Sequence, residues 1–214
     1  MKFRASFSEL IGTFALIFIG AGAAAIGGEL IVIALAHGMV IIGLAYAYGH
    51  HSGTHINPAV TFGLLIAGEI KTKTAINYWI MQFAGGILGA AALSFVLGGS
   101  TSGLGATQFN TAETSVSQAL VLELILTFLL VNTIMNTAVS GKAGNLAGLA
   151  IGSTLIFCIL MGGPITGASL NPARTLGPAL LTGNLDQLWV YIVGPLAGAA
   201  IASIFYVNVL KDKS

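Results

Sequence analysis

The groups able to do chemistry in this chain are few and paired. Asn57, Pro58 and Ala59 return in the same order as Asn171, Pro172 and Ala173, 114 residues later. Glu9 and Glu123, the only acids deep within apolar stretches, are also 114 apart and head the similar strings ELIGTFALIF and ELILTFLLVN. Arg174 follows the second Asn-Pro-Ala, where the first is followed by Val60. His37 lies inside an uncharged run, His50, His51 and His55 cluster before the first motif, and Cys158 is the one cysteine.

These types and spacings do not suggest catalysis. The chain shows no nucleophile–base pair, no glycine-rich phosphate loop and no metal motif, so no catalytic residue, no enzyme activity and no cofactor is expected. Adjacent histidines on one helix point about 100° apart. With no acidic or sulfur ligand nearby, His50, His51 and His55 are not read as a zinc site. His55 is expected to border the inner half of a path, and Cys158 to be a small buried apolar side chain. The asparagines have more to offer: a carboxamide oxygen can cap a helix while its N–H groups remain as donors for a small polar solute.

The elements that hold these groups follow from composition. Of 214 residues, 56% are hydrophobic, 7% are charged and 29 are glycine, whereas a soluble domain carries about 25% charge. No charge falls between Glu29 and Glu69, between Lys73 and Glu113, or between Asp186 and Lys211. Each interval exceeds the roughly 20 apolar residues that cross a bilayer. The chain reads as an all-α membrane protein in contact with the lipid bilayer, with spans at 5–26, 30–50, 75–97, 117–139, 145–162 and 187–209. The first is read as a retained helix, since it is longer than the apolar core of a signal peptide. A net charge of +1 leaves no basic patch for nucleic acid.

Six spans place both termini on one side, together with Lys2, Arg4, Lys71, Lys73, Lys142, Lys211 and Lys213. The positive-inside rule makes that side cytoplasmic. The expected location is the cell membrane, multi-pass.

Two apolar stretches, 51–69 and 164–183, are too closely flanked by spans to add crossings. Each is expected to dip in and return as a half-helix, 58–68 and 172–182, capped by Asn and begun by Pro. The first holds eleven residues, about 16 Å at 1.5 Å per residue, half of a hydrocarbon core of roughly 30 Å. One transmembrane channel domain, 1–214, is thus divided into a repeat at 1–100 and a second at 115–214. An odd number of spans per repeat inverts the second. The two half-helices then enter from opposite faces, and their N-termini meet near the midplane. Irregular backbone at that depth requires burial in protein or a water-filled path beside it.

The strings GHHSGTHINPAVTFG and TGASLNPARTLGPA, with the matched glutamates, resemble the aquaporin family of major intrinsic proteins over nearly the whole chain. The resemblance implies the aquaporin fold, a pore within each subunit and a homotetramer. It implies an acceptor ladder of carbonyls in extended stretches, Thr54, His55 and Ile56 before the first motif and Ala168, Ser169 and Leu170 before the second. It further implies that Glu9 and Glu123 bind backbone N–H groups of the re-entrant loops. By analogy with the family, an aperture near the outer side combines His37, Ile159, Ala168 and Arg174.

His, Ile, Ala and Arg are similar to the filters of plant tonoplast aquaporins and depart from the strictly water-selective pattern, which has Phe and His at the first two positions. Water is the first expected solute. Ammonia, urea and hydrogen peroxide form the alternative, although residues 98–116 lack the third-loop histidine of ammonia-conducting relatives and carry Gln108 near that place. Glycerol is not expected, because Thr175 and Ala179 replace the Asp and the basic residue of glycerol conductors. A secondary transporter would also use inverted repeats, but both buried acids are accounted for by the repeat. A sealed junction protein would show long aromatics along the path, and none is expected there. Gly85, Gly86, Gly89, Gly194 and Gly198 are read as helix contacts.

Overall fold

The computed structural model describes residues 3–212; Lys2 and Lys213, counted above among the inside charges, lie outside it. Six helices are long and apolar enough to cross a membrane: Phe3–Ala25, Leu30–Ser52, Thr72–Val96, Val116–Val139, Gly144–Thr166 and Val190–Leu210, numbered here spans 1 to 6. Two shorter helices, Pro58–Ile66 and Pro172–Thr182, follow spans 2 and 5. Among the described residues there is no strand. The protein is an all-α, multi-pass membrane protein, and side chains such as Leu35, Met39, Ile80, Phe157 and Ile204 that would be a liability in water face outward.

Each half-helix begins as its sequence dictates. Asn57 and Asn171 are extended, with φ −156° and −150°, and their side-chain oxygens accept from the first turn, while Pro58 and Pro172 occupy the first helical position. The first half-helix ends at Ile66, two residues short of the expected Gly68, because Gly68 takes a left-handed φ of 77° and closes a turn onto Leu65 O at 3.1 Å. Span 5, expected to stop at 162, continues through Pro164 to Thr166. The proline ring suits helical φ, and its missing N–H and its crowding of the carbonyl four residues back fall in the last turn, where the helix is about to end. The helix ends instead at Gly167, φ 79°, whose N–H reaches Gly163 O at 2.9 Å. Span 2 ends in the same way at Gly53, φ 84°, the position 114 residues earlier.

Within lipid, helices associate by close packing rather than by a hydrophobic drive, and glycines make that packing possible. Span 3 lies on span 1, with Gly85 against Leu10 O and Gly89 against Phe14 O; span 6 lies on span 4, with Gly198 against Leu124 O. The half-helices cross over. Gly177 of the second abuts Gly86 of span 3, and Gly63 of the first faces Ala199 and Ser203 of span 6. Each half-helix thus leans on a span of the other repeat.

Two exposed ion pairs, Lys142–Asp212 at 2.7 Å and Lys211–Glu69 at 2.9 Å, gather one face of the molecule. They join the loop after span 4, the end of span 6 and the end of the first half-helix. The Lys142 ammonium holds the Asp212 carboxyl below its usual range. Of the basic residues that the loop pattern assigned to one side, Lys142 and Lys211 are thereby held near each other, since Asp212, the partner of Lys142, adjoins Lys211 in the chain.

Candidate functional site

The site is built from two buried carboxylates outward. Glu9, fully buried, accepts His55 N at 2.9 Å and Ile56 N at 2.6 Å. Glu123, also fully buried, accepts Ser169 N at 3.0 Å and Leu170 N at 2.9 Å. A third donor completes each, Gln82 Nε2 on Glu9 and Thr166 Oγ1 on Glu123, both at 2.8 Å. Two successive N–H groups aimed at one anion form a backbone nest.

That nest corrects one expectation. The stretches Thr54–Ile56 and Ala168–Leu170 are not extended: Thr54 (φ 51°), Ile56 (40°), Ala168 (45°) and Leu170 (54°) are all left-handed. Non-glycine residues adopt this region at a cost of order 1–3 kcal/mol each, offset here by charge-assisted hydrogen bonds of about 1.5–3 kcal/mol apiece. Smaller bonds repeat with the same period. Ser52 Oγ accepts Thr54 N at 3.0 Å, and Thr166 Oγ1 accepts Ala168 N at 3.2 Å. His55 Nδ1 meets Thr61 Oγ1 at 3.0 Å, and Ser169 Oγ meets Thr175 Oγ1 at 2.6 Å.

With the loops so held, the half-helix tips meet. Asn57 Oδ1 caps Ala59 N at 2.8 Å while its Nδ2 donates to Leu170 O across the repeat at 2.8 Å. Asn171 Oδ1 accepts Ala173 N at 3.0 Å and Arg174 N at 3.2 Å, and its Nδ2 donates to Ile56 O at 3.0 Å. Each carboxamide has two N–H donors, so one remains on each asparagine. Ile56 O and Leu170 O, expected as free acceptors, are already engaged by the opposite asparagine.

Beside the tips runs a cavity of about 210 Å³, bordered by Asn57, Asn171, His55, Ser169 and Leu170 and, at its far end, by His37 and Arg174. Its remaining wall is apolar, including Leu16, Val60, Leu130 and Leu155. A second cavity of about 310 Å³ lies outside it, bordered by Ile159, Gly105, Gln108, Gly167 and Arg174. Arg174 borders both, so the partition lies at its level. Ala168 borders neither cavity, yet it stands between Gly167 of the outer one and Ser169 of the inner one. Ile56 is fully buried and does not reach the inner cavity.

Two polar atoms at the partition have no protein partner. His37 Nδ1 lies 2.9 Å from Ile33 O and must donate to it, which leaves Nε2 of the neutral ring as an unpartnered acceptor. Arg174 Nη1 donates to Gly105 O at 2.7 Å, and its Nε–H is unpartnered. Arg174 makes no ion pair: those among the described residues involve only Lys142, Asp212, Lys211 and Glu69. The third loop supplies a carbonyl instead, and Leu104, left-handed at φ 49° and fully buried, turns the chain just before it. Gln82, Thr61, Thr107 and Gly105 escaped the sequence reading. Polar residues are ordinary on helices, and a loop carbonyl leaves no mark in a sequence.

Six spans, two half-helices joined at their tips and two cavities alongside that meet at Arg174 are the architecture of a membrane channel. Residues 1–206 match the model of the major intrinsic protein family, and the chain belongs to that family. It is a channel, not an enzyme. It is 40% identical over 227 residues to the Arabidopsis thaliana aquaporin TIP2-1, covering 99% of this chain and 89% of that one. It is 38% identical over 205 residues to the rice (Oryza sativa subsp. japonica) aquaporin NIP1-4, covering 93% and 74%. The X-ray structure of the aquaglyceroporin from Plasmodium falciparum shares its fold with a TM-score of 0.89 and 26% identity, covering 98% of this chain and 97% of that one.

Proposed function

We propose that this aquaporin conducts water passively, past Asn57 and Asn171, and excludes protons and ions. The reciprocal asparagine–carbonyl bonds beside a continuous inner cavity carry the reading. Each half-helix N-terminus bears roughly half a unit of positive charge, and the two abut at Asn57 and Asn171. A cation at that point meets both. A water accepting from the free N–H of each asparagine directs its own hydrogens along the path in opposite directions, which interrupts proton hopping.

The aperture is formed by His37, Ile159 and Arg174, with Ala168 at the same level. His37 Nε2 supplies an acceptor, Arg174 Nε–H a donor and Ile159 an apolar wall, a set suited to a small neutral molecule. That wall favours a second reading, in which ammonia, urea or hydrogen peroxide also passes. Gln108, which borders the outer cavity, stands where ammonia conductors carry histidine, so water is ranked first. Glycerol is not proposed despite the aquaglyceroporin likeness. Thr175, in place of the Asp of glycerol conductors, is bonded to Thr107 and Ser169. Pairing of the lysine-bearing loops on one face supports cytoplasmic termini, and family membership supports a homotetramer.

Stopped-flow light scattering on vesicles holding the purified protein decides the matter. Osmotic shrinkage faster than that of empty vesicles is expected, without dissipation of a pH gradient. Shrinkage at the empty-vesicle rate would falsify the water channel, and gradients of urea, ammonium and peroxide would rank the solutes.

A further inference from the structure

Span 1 contributes no residue to the four-position aperture, yet one of its residues touches the His37 ring. A Cβ built on Gly20 would lie 2.6 Å from His37 Cδ2 and 2.8 Å from both Cγ and Nε2. The imidazole therefore rests against the Gly20 backbone. Ordinary contact between such atoms is about 3.5–4.0 Å, so a methyl group there displaces the ring by roughly 1 Å.

The scaffold restricts where the ring can go. Behind His37, span 2 is wedged into span 5: a Cβ on Gly38 would fall 2.7 Å from Gly152 O. Behind Gly20, span 1 is backed by span 3, with a Cβ on Gly89 falling 2.7 Å from Phe14 O and 3.1 Å from Ile17 Cβ. Nδ1 is tethered to Ile33 O. Neither helix can retreat, and the open side of the ring is the inner cavity, which His37 borders. Gly20 also lies in a π-helical stretch, Leu16–Ala21, a local widening of span 1 opposite the ring.

We propose that Gly20 is a positioning residue of the aperture: the absence of its side chain lets His37 withdraw from the path and so sets the width at the partition. The proposal rests on the reading of His37 as an aperture residue. Alanine is compatible with the backbone here, since Gly20 does not have a positive φ and alanine is the better helix former.

The test is a double-mutant cycle of wild type, Gly20→Ala, His37→Ala and the double variant, each in vesicles at matched protein content. Gly20→Ala is expected to lower osmotic water permeability roughly tenfold, about 1.4 kcal/mol of barrier. In the His37→Ala background the same change should have no effect. An equal effect in both backgrounds, or none in either, overturns the proposal. If Gly20→Ala does not fold, a double variant that folds supports the steric coupling, and a double variant that fails to fold refutes it. If the wild type itself conducts no water, the channel reading fails separately. The cycle is then read from thermal unfolding, where the same rescue by His37→Ala is required.

Discussion

Arg174→Val isolates the charge at the partition. Valine is the natural choice because Val60 occupies the matching third position of the first half-helix. Three features indicate a folded variant. The guanidinium is held by one carbonyl, Gly105 O, which borders the outer cavity and can be rehydrated when the arginine leaves. A cation in the first turn of a helix is disfavoured by about 0.3–1 kcal/mol, and that cost disappears. Asn171 keeps its bonds to Ala173 N and to Ile56 O.

The expected change in barrier follows from Coulomb's law. A monovalent cation passing about 4 Å from the guanidinium, at an effective dielectric constant near 20, is repelled by about 4 kcal/mol. Removing that term raises cation flux by up to roughly 10³-fold. Water carries no net charge, and its flux should rise modestly because the aperture widens. Vesicles containing a pH-sensitive dye measure proton entry, and light scattering measures water on the same preparation. A proton and alkali-cation leak at least tenfold above wild type, with water flux retained, is the predicted outcome. An unchanged leak with intact water flux would place the whole barrier at the half-helix tips and refute the charge argument for Arg174.

Three further outcomes are expected. Asn171→Ala should cost more stability than Asn57→Ala, because Asn171 caps two N–H groups and Asn57 one. A lost cap costs about 1 kcal/mol and the stranded carbonyl about 1–3 more, so thermal unfolding in detergent should show Asn171→Ala as the weaker protein; the reverse order would contradict the capping geometry. Glu123→Gln leaves one of Ser169 N and Leu170 N without an acceptor and should destabilise by roughly 1–3 kcal/mol while folded molecules still pass water. Intact stability with altered proton movement would instead mark Glu123 as a proton relay. His37→Phe should narrow the aperture and reduce any urea or ammonia leak while water still passes; an unchanged leak would remove His37 from the filter.

The parts of this protein that were legible in its sequence are those whose burial is costly. A carboxylate or carboxamide in hydrocarbon is unfavourable without partners, so Glu9, Glu123, Asn57 and Asn171 stand out against an uncharged background, and their equal spacing exposes the repeat. Prolines in the first helical position locate the half-helices. The ends are less legible. Span 5 runs on to Thr166, four residues beyond its expected end at 162, and the first half-helix stops at Ile66, two residues before a glycine that looks like any of the other 28. Gly20 is hidden in the same way: what distinguishes it is the imidazole lying on it, and that neighbour comes from another span.

The left-handed residues show why a local reading could not succeed. Thr54, Ile56, Ala168 and Leu170 include two β-branched side chains, and none is a glycine; nothing in their own preferences favours a left-handed backbone, and the family resemblance implied extended stretches. The conformation comes from outside the segment. Glu9 lies 46 residues from the His55 N–H it binds, as Glu123 does from that of Ser169. With both N–H groups of a loop fixed on a buried carboxylate, its carbonyls are left to other partners, and Ile56 O and Leu170 O are where the opposite asparagines bond. The same arrangement explains why the tips abut without merging. Each asparagine bonds to the other repeat's backbone rather than to the other asparagine, so a donor on each remains available to the path beside them.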